Sequence, residues 1–273
     1  MRKKLFAGAA AVVAAAAVAR PAGAQEYRDE VLRAKHKRYE TSQQFAAEIR
    51  FGPYFPDIDS NPALHAPTVA NGCTPGGGPA GSIFGSFNRL MFSAEFDWQA
   101  LRIPHVGTFG PGLSIGYTML SASAPFVTQH PIASGMTTCT SGETTSLTIV
   151  PIYVVGVFRA DVLWRELRIP FVPYVKAGLA DALWRASNSL GTSEANGVSG
   201  NGHTYGAQLA AGIMLNLNFL DEYAARSFDE TTGVNNTYAF VEYMWANYQG
   251  LGLQTNPLRV GDATWVAGLA WEF

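Results

Sequence analysis

The sequence predicts an all-β fold, an eight-stranded antiparallel transmembrane β-barrel with a short N-terminal periplasmic segment. Three observations carry that expectation. Alternating parity recurs along the chain, long and short connections take turns, and aromatic residues gather at strand ends. Alternation means strands, because successive side chains point to opposite faces. A barrel follows because a sheet in lipid must close to leave no unpaired edge.

The first strand, 45–55, places Phe45, Ala47, Ile49, Phe51 and Phe55 on one face and Glu48, Arg50 and Tyr54 on the other. The second, 87–100, sets Leu90, Phe92, Ala94, Phe96 and Trp98 against Arg89, Ser93, Glu95, Asp97 and Gln99. In the third, about 105–120, Leu113, Ile115, Tyr117 and Met119 oppose Gly112, Ser114, Gly116 and Thr118. The fourth, 146–161, is apolar on both faces, so parity leaves its register open, and Pro151 marks a candidate bulge. The fifth (170–184) and seventh (236–247) carry Lys176 and Glu242 on their polar sides. The sixth, 203–216, sets Tyr205, Leu209, Ile213 and Leu215 against Gly206, Gln208, Gly212 and Asn216. The eighth alternates Trp265, Ala267, Leu269, Trp271 and Phe273 with Thr264, Val266, Gly268, Ala270 and Glu272.

Connections after strands one, three, five and seven run to about 31, 24, 18 and 14 residues, against about 4 and 8 after strands two and four. Long outside and short inside is the pattern of outer-membrane barrels. With that orientation Phe55, Tyr117, Trp184, Tyr205, Tyr243, Trp245 and Trp265 fall near outer strand ends. Phe45, Trp98, Phe171, Trp271 and Phe273 fall near inner ones. Two girdles suit amphipathic rings at two interfaces. A soluble β-sandwich gives no reason for such sorting.

The N-terminus has a basic start (Arg2, Lys3, Lys4), a short apolar run from Leu5 to Ala19 and a small-residue cut at Ala22-Gly23-Ala24. This reads as a signal peptide, 1–24, with 25–44 a polar periplasmic lead-in and candidate helix, and 45–273 the barrel. Without Arg2, Lys3, Lys4 and Arg20, 15 basic residues face 21 acidic ones, a net charge of −6 that offers nothing to nucleic acid. Gly268, Trp271 and Phe273 resemble the C-terminal assembly signal of bacterial outer-membrane proteins, although Val266 stands where that signal carries a polar residue. The resemblance implies the barrel-assembly machinery as a partner. The stretch IRFGPYFPDIDS (49–60) resembles the opening of the myxobacterial-type eight-stranded outer-membrane β-barrel proteins, and MFSAEFDWQ and YAFVEYMW are similar to that group. The resemblance implies fold and location, and brings no catalytic residue.

The polar faces put Glu48, Arg50, Arg89, Glu95, Asp97, Lys176, Gln208 and Glu242 inside the barrel. An eight-stranded lumen is just wide enough for side chains to fill it, so these charges are expected to pair. The rival reading is a narrow ion or proton path. His36, His65, His105, His130 and His203 show no metal-ligand spacing. His203 lies at the depth where a lipid hydrolase would act, but no nucleophile and orienter accompany it in sequence. Asp57, Asp59 and Asn61 begin like a calcium loop, which Pro62 and Thr68 then break. Cys73 and Cys139 fall in two long outer loops and are expected to form a disulfide. The segment 218–230 has Phe219, Leu220, Tyr223, Ala224 and Phe228 at helical spacing, with Asn218 and Asp221 as candidate caps. It is expected either to lie at the inner interface or to close the periplasmic mouth.

No metal, cofactor or catalytic residue is assigned. The expected role is structural or surface-interacting, through long extracellular loops, with outer-membrane lipid as surroundings. A small pore, an outer-membrane lipid hydrolase and a soluble lipocalin-like barrel with its faces inverted are the rivals.

Overall fold

The computed structural model describes residues 44–61, 64, 78–85, 89–125, 140–195 and 197–273. The expected leader, the lead-in apart from Gln44, Cys73, Cys139, His36, His65 and His130 lie outside the described residues. Eight strands form the wall: β1 (Phe45–Tyr54), β2 (Arg89–Trp98), β3 (Gly107–Pro125), β4 (Thr140–Arg159), β5 (Phe171–Asn188), β6 (Asn201–Asn216), β7 (Asn236–Asn247) and β8 (Asp262–Glu272). Each pairs antiparallel with the next, and β8 pairs with β1. The sheet is a closed barrel. Its seam sets Ala47 opposite Trp271, Ile49 opposite Leu269 and Arg50 opposite Gly268.

Exposure is inverted relative to a water-soluble protein. Leu113, Ile115, Val154, Leu179, Leu209 and Trp265 face outward, the last at 61% exposure, while Glu48, Arg50, Asp97, Lys176 and Glu242 are at 1% or less. Apolar side chains outside and charges inside are the arrangement of a barrel bathed in lipid. A lipocalin-like interior would reverse both faces. Among the described residues no helix is long and apolar enough to cross a membrane.

The fourth strand resolves its own ambiguity. Leu147, Ile149, Tyr153, Val155, Val157 and Arg159 are buried inside, and Val154 faces out. Pro151 lacks the N–H that the ladder needs. Yet Ile115 pairs with Ile152 and Thr118 with Ile149 in one unbroken register, so no bulge forms there, and the shift lies instead between Ser123 and Pro125.

Strands β3 to β6 are 19, 20, 18 and 16 residues long, whereas the other four have 10 to 12. About 9–11 residues cross a bilayer. The surplus lies at the end with the long loops. There the outward row of β3 changes from Ile115, Tyr117 and Met119 to Ser121 and Ser123, and that of β5 from Leu179 and Leu183 to Arg185 and Ser187. On β4 it changes from Val154 to Thr144. Four strands therefore project beyond the apolar band as a polar-faced wall. Gln254 covers the upper edge of β6, its Oε1 accepting from Tyr205 N at 3.0 Å and its Nε2 donating to His203 O at 2.9 Å. An edge so occupied cannot template another strand.

The other end has the shorter turns. Leu-Arg-Ile-Pro occurs twice, at 101–104 and 167–170, in two neighbouring turns joined by His105 Nδ1 and Glu166 Oε1 at 2.7 Å. Across the seam, Phe45, Phe96 and Phe273 cluster with ring centroids 5.5 to 6.3 Å apart. Trp184 departs from the expected girdle: it turns inward and packs on the buried core, because it shares the parity of Ala180 and Ala182.

Gly268 explains itself by space. A Cβ there would collide with the Ile49 carbonyl oxygen and come within 2.7 Å of the Phe240 ring, which lies across the glycine from its paired position. Gly268→Val is expected to abolish the heat-dependent gel shift of protein refolded in detergent; an unchanged shift would show the seam tolerates a side chain.

Candidate functional site: a filled lumen

The lumen is the place where chemistry-bearing residues converge, and it is filled in three layers. The middle layer is ionic. Arg50 reaches Glu95 at 2.6 Å, Glu48 at 3.9 Å, and also Glu242. Arg159 binds Glu48 at 2.7 Å and also Asp97. Lys176 binds Glu48 at 2.7 Å, Glu242 at 3.9 Å, and also Glu95. Tyr174 donates to Glu242 at 2.8 Å, and Ser114 accepts from Arg50 at 3.4 Å. The Lys176 ammonium lies 5.1 Å from the Tyr174 ring centre, adding a cation–π contact. Each cation thus bridges two or three carboxylates, which offsets the cost of removing them from water.

Of the sequence-predicted charges, Glu48, Arg50, Glu95, Asp97, Lys176 and Glu242 meet here. Arg89 does not. It sits six residues along β2 from Glu95, roughly 20 Å at strand rise, and donates to Phe84 O at 3.1 Å. Arg159 is the member that parity missed, because its strand is apolar on both faces. The available signal was its charge: it is the single charged residue between Ser146 and Arg159, and a charge in a lipid-flanked strand belongs inside. The carboxylates of Glu48, Glu95 and Asp97 approach one another closely enough to suggest a metal. Lys176, Arg159 and Arg50 already occupy the space between them, so the chemistry of the site is ion pairing.

The layer at the short-turn mouth is made of amides and a carboxylate. Glu272 accepts from Gln99 at 2.8 Å, Tyr238 at 2.9 Å and Asn236 at 3.2 Å, and Asn216 donates to Asn236 at 3.0 Å. The layer toward the long loops is largely apolar: Met91, Leu120, Ile149, Met244 and the rings of Tyr54, Tyr153 and Tyr248. Tyr54 donates its hydroxyl to Val260 O in the last loop, and Asn61 donates to Pro257 O at 3.0 Å, so the first and last long loops are tied together beside the β8–β1 seam. Gln208 lies between the ionic and apolar layers, fully buried, and neither end of its amide has a protein partner.

Outside the lumen, the Asp57–Asn61 oxygens serve the loop. Asp59 accepts from Ala80 N at 2.5 Å and Gly81 N at 3.1 Å, and Asp57 accepts from the Ser60 hydroxyl at 2.7 Å. His203 gains a partner that sequence spacing did not show: Asp181, at 3.2 Å from Nδ1, on the adjoining strand. Among the described residues no serine, threonine or cysteine is hydrogen-bonded to that ring. The contact gives a carboxylate near the upper boundary of the lipid-facing belt a polar neighbour.

No protein-family model matches the chain, and no curated protein sequence does. Among solved structures, Ail, the attachment invasion locus protein of Yersinia pestis, is similar at 10% identity and a TM-score of 0.36, over 86% of this chain and 99% of that one. The N-terminal β-barrel domain of OprF from Pseudomonas aeruginosa is similar at 14% identity and a TM-score of 0.34, over 85% of this chain and 100% of that one. Both likenesses are slight, and neither points to the myxobacterial-type group that the first strand resembles. The closed register is what establishes the barrel.

Two outcomes follow from the lumen. Lys176→Met leaves Glu48, Glu95 and Glu242 short of a cation and is expected to destabilise the barrel by about 3–5 kcal/mol, measured by urea unfolding in detergent. Gln208→Leu removes an unpartnered amide of nearly the same volume and is expected to stabilise by about 1–3 kcal/mol in the same assay; a loss of stability would show that the amide is satisfied.

Proposed function

We propose that the chain is an outer-membrane protein, exported by residues 1–24, that acts without catalysis as a membrane-anchored surface for interaction. The observation that carries this reading is the combination of a filled lumen with a polar wall of four strands projecting past the apolar band. A lumen closed by ion pairs, amides and an apolar layer supports a barrel that anchors and does not conduct. The projecting wall and the long loops are then the parts that meet a partner, which stays unspecified. Binding and recognition concentrate on loops held by a rigid scaffold, and loops tied together beside the β8–β1 seam fit that description. The C-terminal strand, with Gly268, Trp271 and Phe273, is the proposed contact with the barrel-assembly machinery, and a Cys73–Cys139 disulfide is proposed to restrain two of the loops.

The pore rival requires a continuous wet path, and the lipid-hydrolase rival requires a nucleophile beside His203; the described geometry favours neither. An epitope inserted between Leu190 and Gly191, at the tip of the β5–β6 connection, is expected to bind antibody on intact cells. Purified protein in planar bilayers is expected to give no steady conductance. Labelling only after permeabilisation would overturn the location or its orientation, and stable conductance steps would restore the pore.

A further inference from the structure

The connection from β6 to β7 holds the one long helix among the described residues, α1 (Glu222–Thr232). Asp221 caps its start, accepting from Tyr223 N at 3.0 Å and Ala224 N at 2.9 Å, and Gly233 ends it in the left-handed conformation. Asn218 is not a cap. It ties the preceding turn to β7, donating to Asn235 O at 2.7 Å and accepting from Thr237 N at 3.2 Å.

The sequence left two places open for this helix, and the structure selects between them. The short-turn mouth is already closed by Tyr238, Asn236, Glu272 and Gln99. The helix instead borders the outer wall. Leu217, Leu220, Ala224, Ala225 and Phe228 line a groove of about 450 Å³ together with Thr237 and Trp271, a cross-strand pair whose parity faces outward. Trp271 continues the outward row of Trp265 and Leu269, and Thr237 the row of Val241 and Tyr243. The groove is thus continuous with the lipid-facing surface, and its volume lies in the range of small-ligand sites. Leu220, just ahead of the helix, and Tyr223, in its first turn, remain exposed, at 69% and 85%. Asp221, Glu222, Asp229 and Glu230 outnumber Arg226, so the helix has no general attraction for anionic headgroups, and its fit to lipid is through apolar contact.

We propose that the groove between α1 and the β7–β8 wall binds one acyl chain of a phospholipid from the leaflet at the short-turn end, with α1 lying over it at the headgroup boundary. The proposal rests on the membrane placement of the barrel. Lipid that coats the outward row at Leu269 meets the groove at Trp271, where the helix wall encloses it from a second side.

The test uses the full barrel refolded in zwitterionic phosphatidylcholine vesicles containing a trace of phosphatidylcholine with a photoreactive acyl chain, and cross-links are mapped by mass spectrometry. Cross-links are expected on α1, at Phe228 and its neighbours, as well as on belt residues such as Leu113 and Ile213. Ala224→Trp fills the groove from an exposed helix position, and is expected to cut the α1 cross-links at least fivefold while leaving the belt cross-links and the heat-dependent gel shift unchanged. Belt cross-links without α1 cross-links would overturn the groove and leave the membrane placement standing. Cross-links on α1 that Ala224→Trp does not reduce would show a helix immersed in lipid with no bound chain. Loss of the belt cross-links in the parent protein would overturn the placement itself.

Discussion

Every backbone N–H and C=O that faces lipid has to find its partner within the chain, and the β8–β1 seam is where this chain meets that requirement. Without the seam the sheet has two open edges in a medium that offers no hydrogen bonds. The seam is reinforced locally. Phe273 and Phe45 exchange backbone hydrogen bonds at 3.0 Å in each direction, and their rings lie against Phe96 on the outer face. Gly268 lets β8 approach β1 and receives the Phe240 ring over its bare backbone, a glycine shielded by a cross-strand aromatic.

Closure at eight strands then fixes what the interior can be. The space is narrow, side chains fill it, and any charge that points inward leaves bulk water. Glu48 answers this by reaching from β1 to bind Arg159 on β4 and Lys176 on β5 at once. Such a cluster works as a register lock. Slipping one strand by a single residue would send its charge into lipid and strand its partners inside. The ion pairs contribute specificity of pairing more than net stability, since their mutual attraction mostly offsets desolvation.

The lipid-facing surface and the projecting wall follow from the same alternation read in two surroundings. On β3 the inward row stays buried from Ser114 through Leu120, while the outward row changes from apolar to hydroxyl-bearing after Met119. The strand continues past that change; only its solvent differs. Where a charged group sits near the boundary, as Asp181 does, a neighbour is supplied by His203. At the other end, apolar side chains extend past the strands into the turns, at Leu101, Ile103, Leu167 and Ile169, and into α1.

What the sequence determined by itself was the strand count, the parity of seven strands and the inward set Glu48, Arg50, Glu95, Asp97, Lys176 and Glu242, because a period of two with one apolar face is a local property. It also marked the helix near 218–230, since 3.6-residue spacing and an Asp cap are local too. The tertiary structure decided the rest. The face of Arg159 was set by pairing with β3 and β5, not by its own apolar strand. The strand-end position of Trp184 predicts a girdle, but its parity packs it on the core. Arg89 shared the right parity but sat too far along its strand to join the ion pairs. Asp181 came to His203 only through the β5–β6 register, which no spacing in the chain reveals. The placement of α1 was likewise a matter of what already filled the mouth. Local alternation tells a side chain which way to point; only closure tells it what it will meet there.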